Sequence, residues 1–355
     1  MATNNPTVSV LMATYNHADY VKKAIESVLS QKNIDFEFLI ADDGSMDQTR
    51  EAVASVLDPR ITFFPYTENR GACIVANELI ERSSGEFIAL INSDDYWTDS
   101  NKLAYQVEIL KQNPDIGATF GRARFIDKEG SQIATLSSKN IFNQENRTQG
   151  KWLRYFFDFG NCICHPTILI RKSCYTELGL YNNRLRQLPD FEMWIRLIKH
   201  YKIYISDREL INFRIMPGEN ASAQTPTNTI RTINEHLLIA ENFFDDVSKE
   251  QLIDGFYDYL VVKDIPSEIH LEIEKARMYM LYNQWLGRPY QLVGLSKLYK
   301  IFNNPSSNEI LSNDYNLDDR WFHLKMGEID VLKPTVIERI EKKSLKIKNI
   351  LKKYF

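Results

Sequence analysis

Cysteine is scarce in this 355-residue chain, with four residues at 73, 162, 164 and 174. They are too few and too unevenly spaced for the disulfide framework of a small secreted domain. Long hydrophobic runs are also missing. Val8 to Ala13, the first apolar run, is about six residues long, against about 7–15 for a signal-peptide core and about 20 for a membrane-spanning helix. Met1 to Pro6 carries no positive side chain, so a cytoplasmic protein with reduced thiols is expected. Charge of one sign is lacking too: 43 basic residues against 47 acidic give a net charge of −4. No global field draws the chain to nucleic acid, and no such partner is expected. Neither GxxxxGK[ST] nor GxGxxG follows an apolar run, which removes the main motif of ATPases and of dinucleotide-dependent dehydrogenases. Cys162-Ile163-Cys164-His165 has no second Cys or His pair at zinc-site spacing, so no zinc site is expected.

What is present is globular: 44% hydrophobic and 25% charged residues, long enough for about two domains. The first hundred residues alternate short apolar runs with helix-period segments, which predicts parallel strands joined by crossover helices. Strands are expected at 8–12, 36–41, 61–64 and 87–91, and helices at 20–31, 48–57 and 70–82. Further strands are expected at 117–126 and 167–171, and a helix at 191–201. After Thr225, helical periodicity at 228–243, 249–262, 267–285 and 288–302 predicts a helical region. The expected division is 1–224, 225–332 and a basic segment 333–355.

Polar clusters follow three of the strands: Thr14-Tyr15-Asn16, Asp42-Asp43-Gly44-Ser45 and Asn92-Ser93-Asp94-Asp95. Strand ends of an open α/β sheet line the crevice where ligands bind. Adjacent carboxylates repel, so Asp94 and Asp95 make sense beside a divalent cation; Mg²⁺ or Mn²⁺ takes one or two carboxylates plus phosphate oxygens and water. A solvated Asp-rich turn capping the next helix is the competing reading. Asp42 and Asp43 carry the same ambiguity between a turn and an acceptor for a uracil imide or a ribose hydroxyl.

Taken in order, V-S-V-L-M-A-T-Y-N-H at 8–17, S-V-L-S-Q at 27–31, F-L-I-A-D-D-G-S-M-D at 38–47, E-N-R-G-A at 68–72 and G-E-F-I-A-L-I-N-S-D-D at 85–95 resemble the family 2 glycosyltransferases of the GT-A fold. The resemblance runs from about Thr7 to Ser222. It implies an α/β fold, an open and mainly parallel twisted sheet flanked by helices. The implied reaction is inverting transfer of a sugar from a nucleotide diphosphate, a UDP-sugar being favoured, to a hydroxyl of a saccharide or lipid-linked saccharide in surface polysaccharide synthesis. By matching positions, Ala13, Tyr15 and Asp43 contact the nucleobase with Asp42 beside them, and Thr14, Asn16, Asn77 and Ser93 complete the donor site. Asp95 is the implied ligand of a divalent metal, Mn or Mg, and Asp94 lies near it and the donor sugar. Inversion requires a base opposite the leaving group. Leu188-Pro189-Asp190-Phe191-Glu192-Met193-Trp194 resembles the family's acidic segment, which makes Asp190 the candidate base. His165, Trp97, Glu192 and Trp194 are candidates for the acceptor or donor pocket.

Several positions depart from the family pattern. Asn92 and Ala76 replace an Asp and an Arg, and Pro189 replaces an acidic residue. Met216 replaces the His of the closing segment 212–222, where Arg214 is expected to face the diphosphate. A thioether is a poor ligand for Mg²⁺ or Mn²⁺. The altered Ala76, Asn92 and Met216 leave a non-catalytic nucleotide-sugar binding or scaffold subunit as an alternative; a sugar-1-phosphate nucleotidyltransferase shares the crevice logic but lacks its Gly-rich, Arg- and Lys-containing loop after the first strand. Lys333 to Phe355 holds eight basic and two acidic residues. Ile337, Ile340, Ser344, Ile347, Leu351 and Tyr354 fall on one helical stripe, expected either to pack on protein, including a second copy in a homo-oligomer, or to lie peripherally on an anionic membrane.

Overall fold

A computed structural model gives the structure of residues 5–134, 141–218 and 225–330. The basic stripe at 333–355 lies outside the described residues. The chain divides into two compact units, Met1–Tyr257 and Asp258–Phe355; the division expected after 224 falls inside the first.

The first unit is built on eight strands: β1 (Val8–Thr14), β2 (Phe36–Asp43), β3 (Ile61–Tyr66), β4 (Phe87–Leu90), β5 (Tyr96–Trp97), β6 (Ile116–Ile126), β7 (Leu169–Arg171) and β8 (Lys202–Arg214). They form one sheet in the order β3-β2-β1-β4-β7-β6-β8-β5. Its β3-β2-β1-β4 half is parallel throughout. β7 runs antiparallel to β4 and β6, and β5 antiparallel to β8, while β6 and β8 pair in parallel. The sheet is therefore mixed, with its parallel half carrying the loops of interest.

That half reads as continuous apolar runs because helices cover both faces. Helices α1 (Val21–Leu29), α2 (Thr49–Ala54) and α3 (Ala72–Arg82) are the crossovers. Val21, Ala24, Ile25 and Val28 bury one stripe of α1 against Val8, Val10, Met12, Phe38 and Ile40. On the other face α3 packs on β1 and β2 with Val75, Leu79 and Ile80 buried. Burial of each such side chain contributes roughly 1.5–3 kcal/mol, which fixes strand order and thereby the loop positions.

Helices α4 (Lys102–Gln112), α5 (Gln149–Phe159), α6 (Lys172–Leu178) and α7 (Pro189–His200) complete the sheet's cover. Pro189 opens α7, where a missing N–H costs nothing. Asp190 and Glu192 lie in its first turn and Lys199 and His200 in its last, in the sense the helix dipole favours. Two further helices, α8 (Pro226–Glu241) and α9 (Lys249–Phe256), belong to the same unit. Phe157 of α5 packs against Phe243, Phe244 and Phe256 with ring centroids 5.0–6.0 Å apart.

The second unit contains α10 (Glu268–Leu281), α11 (Gly287–Phe302), α12 (Asn308–Tyr315) and α13 (Asp319–Glu328). Ile273, Ala276, Leu298, Leu311, Tyr315 and Leu317 form its core. Helical structure after 225 is as expected, and α12 and α13 add to it. Among the described residues no helix is long and apolar enough to cross a membrane.

Candidate active site

The loops after β1, β2 and β4 are tied into one wall. Asn16, in the left-handed region at φ 52° that Asn tolerates, donates its backbone N–H to Ser45 Oγ (2.9 Å) and accepts from Met46 N (2.9 Å). His17 N donates to Thr49 Oγ1 (2.7 Å), and His17 Nδ1 is 2.7 Å from Ser93 Oγ. This holds Ser93 against the β1 loop. Ala13 is half-buried beside it, and Tyr15 is 37% exposed.

Thr14 and Asp42 are register partners on β1 and β2. Both are buried. Asp42 Oδ2 accepts from Arg50 Nη2 (3.1 Å) and Nε (3.3 Å), yet Asp42 Oδ1 and Thr14 Oγ1 have no partner. Buried polar atoms are nearly always hydrogen-bonded, so two orphans on neighbouring strand ends mark a place where a bound group completes the set. Asp43 behaves differently: its two oxygens accept from Arg70 N (2.7 Å) and Gly71 N (2.9 Å) and clasp the turn before α3. Asn77 is not brought to this wall. Its carboxamide bonds Tyr181 N and O and Asn183 Oδ1.

At the end of β4, Asp95 is 2% exposed. Its Oδ1 accepts from Arg214 N (2.7 Å) and its Oδ2 from Asn92 Nδ2 (2.9 Å). Neither Asp94 nor Asp95 caps the following helix, whose N-cap is Asn101. Burial, then the neighbouring Asp94 charge, holds the Asp95 carboxyl well above the usual carboxylate range. Arg214, expected to face the diphosphate, donates to the carbonyls of Asp94, Asp127 and Lys128 and lies over the Tyr20 ring. It braces the β4 loop from β8. Met216, two residues on, is buried.

The second acidic centre is Asp190. The Cys164 thiol, pushed far up by burial, is raised further by both Asp95 and Asp190, so both carboxyls lie near it. Asp190 Oδ2 accepts from Asn161 Nδ2 (2.8 Å) and its Oδ1 from Phe191 N (2.8 Å). Leu188 is the N-cap of α7, so Asp190 does not serve as the cap. Burial raises the Asp190 carboxyl, opposed by His165, Phe191 N and Asn161. Burial lowers His165, and Asp190 opposes that shift. His165 Nε2 lies 3.0 Å from Tyr181 Oη, itself 2.9 Å from Tyr175 Oη. A desolvated carboxylate next to an imidazole has the character of a general base.

The other pocket candidates divide. Trp194 is buried behind His165, with ring centroids 5.7 Å apart. Trp97 is buried too and donates Nε1–H to Pro166 O (3.2 Å). Glu192 is paired with Arg196 at 2.7 Å, and that guanidinium also meets the carbonyls of residues 178–180. Only His165 of the four joins the acidic centre. Sequence reasoning missed Asn161, Tyr181 and the bracing role of His17. The His17 signal was present in the T-Y-N-H segment itself, whereas Asn161 and Tyr181 carry no local signature.

The donor set fits a divalent cation of the hard, oxygen-seeking kind. Two adjacent buried carboxylates offer the hard oxygen ligands that Mg²⁺ or Mn²⁺ prefers. Among the described residues no three His, Cys, Asp or Glu side chains group to hold a metal by themselves, so phosphate and water would supply the remaining ligands.

Residues 9–176 match the family model described as Glycosyl transferase family 2. An uncharacterized glycosyltransferase of Rickettsia typhi is 26% identical over 254 residues, covering 71% of this chain and 76% of the relative. TuaG of Bacillus subtilis, a glycosyltransferase provisionally named for teichuronic acid biosynthesis, is 28% identical over 225 residues, 62% of this chain and 84% of its own. The fold is similar to that of S. aureus TarS 1–349 solved with UDP, at TM-score 0.56 and 16% identity, covering 85% of this chain and 90% of that one. The β1, β2 and β4 motifs all fall within the span 9–176 that matches the family 2 glycosyltransferase model, and the fold around them is similar to that of the TarS structure.

Proposed function

We propose that the protein is a metal-dependent, inverting glycosyltransferase. It moves a hexosyl or N-acetylhexosaminyl group from a nucleoside diphosphate, uridine being favoured, to a hydroxyl of a saccharide or lipid-linked saccharide acceptor in surface polysaccharide synthesis. The observation that supports this reading best is a buried carboxylate pair, Asp94 and Asp95, at the end of β4, together with a further carboxyl, Asp190, held by Asn161 and beside His165. The pair would take the metal and the diphosphate, and Asp190 the acceptor hydroxyl.

Uridine is supported by the TarS structures with UDP and with UDP-GlcNAc and by the orphaned acceptors of Thr14 and Asp42. The polysaccharide context is supported by the name of TuaG. Asp95, with Asp94, would hold Mn²⁺ or Mg²⁺, and the metal when bound would neutralise the diphosphate. Ser93 and the 13–16 loop bind and orient the donor. Asp190, half-buried and held by Asn161, accepts the acceptor hydroxyl proton at Oδ1 or Oδ2.

The test is a scan of UDP-, GDP- and dTDP-sugars with Mn²⁺, reading donor hydrolysis and transfer. Asp190→Asn should bind the nucleotide normally and lose at least about 100-fold in transfer. The product of the native protein should carry the anomeric configuration opposite to the donor's. Retained configuration, or unimpaired transfer by the variant, contradicts the reading.

A further inference from the structure

The segment that leads into Asp190, residues 181–188, is held at both ends by buried side chains from distant parts of the chain. At its start Asn77 of α3, 6% exposed, donates Nδ2–H to Tyr181 O and to Asn183 Oδ1, both at 2.8 Å, and accepts Tyr181 N–H at 3.0 Å. At its end Glu235 of α8, 4% exposed, accepts Arg186 N–H on Oε1 (2.9 Å) and Gln187 and Leu188 N–H on Oε2 (both 2.8 Å). Leu188 is the N-cap of α7, two residues before Asp190. The next residue on α8, His236, lays its ring against Phe191 at 5.5 Å, so α8 grips both sides of the acid.

A carboxylate taken out of water is tolerated where backbone N–H groups meet its charge, and such charge-assisted bonds are the strong ones. Three consecutive amides turned toward one side chain form a docking point, because a single carboxylate fixes three peptide planes at once. Both ends of the segment bear on the reacting groups: Tyr181 contacts His165 at one end, and Asp190 follows the other.

We propose that Asn77 and Glu235 are positioning residues for sugar transfer, which fix segment 181–188 so that Tyr181 meets His165 and Asp190 is held at the acceptor side of the crevice. The inference rests on Asp190 as the base. Both side chains are engaged with the segment itself, so the proposal requires them to act on turnover and leave donor binding alone.

The experiment uses the full-length protein and the nucleotide sugar that scores in the hydrolysis scan. Glu235→Gln keeps the shape but removes the charge and one acceptor oxygen. Misplacement of a catalytic group by about 1 Å costs about 100-fold, so kcat should fall about 10- to 100-fold with donor KM within about twofold. Glu235→Asp should recover part of the loss. In an Asp190→Asn background the Glu235→Gln change should have no further effect, because its route to the chemistry is already cut. An equal loss in both backgrounds, or a raised donor KM with kcat unchanged, overturns the proposal. Unimpaired transfer by Asp190→Asn alone refutes the base assignment, whatever Glu235→Gln does. Should Glu235→Gln melt below the assay temperature, Asn77→Asp at the other end replaces it. A fall in kcat alone supports the role, and a rise in donor KM puts Asn77 in the donor site and overturns it.

Discussion

Lys102 shows how much a single buried charge sets the tone of this site. It is fully buried at the start of α4, its ammonium 4.1 Å from the centroid of the Trp97 ring and 3.5 Å from Ile168 O. Burial lowers it from 10.5 to about 7. Below about pH 7 both the folded and the unfolded chain bind this proton, and the folded state bears the full cost of enclosing a cation. Between about 7 and 10.5 the unfolded chain binds more protons, so this group makes stability rise with pH. Lys102→Met should therefore raise the melting temperature by several degrees near neutral pH, with the gain shrinking toward pH 10.5. A gain that is constant over that range in a calorimetric pH series would show that the lysine is compensated at low pH.

The same scale shows what a sequence can tell about side chains. The positions of Asp94 and Asp95 after a strand and of Asp190 at a helix start were legible in their motifs. The partners of Arg214 and Asn77 were not, since each reaches carbonyls or amides set by tertiary packing. Trp97 and Trp194 follow Asp95 and Asp190 closely in sequence but are buried, since a large aromatic surface gains most from leaving water.

Among the elements, the parallel half of the sheet was legible from its uninterrupted apolar runs, and β8 was not. Ser206-Asp207-Arg208-Glu209 interrupts its pattern, and the β6–β8 ladder absorbs the interruption through the register shift between Phe120 and Arg122, where Ile205 and Glu209 are the partners. Bulges of this kind re-aim side chains near sites, and here the last residue of β8 is Arg214, whose N–H holds Asp95. The crossing of α5 and α9 was equally hidden. A Cβ on Gly150 would sit 2.3 Å from Gln251 O and 2.7 Å from Gly255 N, and one on Gly255 would sit 2.1 Å from Gly150 O. Backbone atoms cannot rotate away, so the helices touch only because both positions lack a side chain. Gly150→Ala should cost about 2 kcal/mol, the strain of overpacking less the better helix propensity of alanine. A denaturant midpoint unchanged or raised by the substitution would mean that the two helices separate freely.

For the whole molecule, the question is how far along the chain the catalytic unit extends. The family match ends at residue 176, and the periodicity of the sequence changes after Thr225, yet the compact unit runs to Tyr257. The reason lies in what the last two helices of that unit supply. Glu235 takes the amides of 186–188, His236 covers Phe191, and Phe243, Phe244 and Phe256 bury Phe157 of α5. Sequence periodicity reports that a helix forms, and says nothing of which core its apolar stripe completes. A chain ending at 257 should therefore fold cooperatively and bind the nucleotide, since the β1, β2 and β4 loops and their supports are all present. A chain ending at 224 exposes Phe157 and leaves the amides of 186–188 without Glu235, each orphan costing about 1–3 kcal/mol. It should melt at least several degrees lower and lose transfer more severely than nucleotide binding. Equal melting temperatures and equal transfer for the two truncations would move the boundary of the catalytic unit back to the one the sequence suggested.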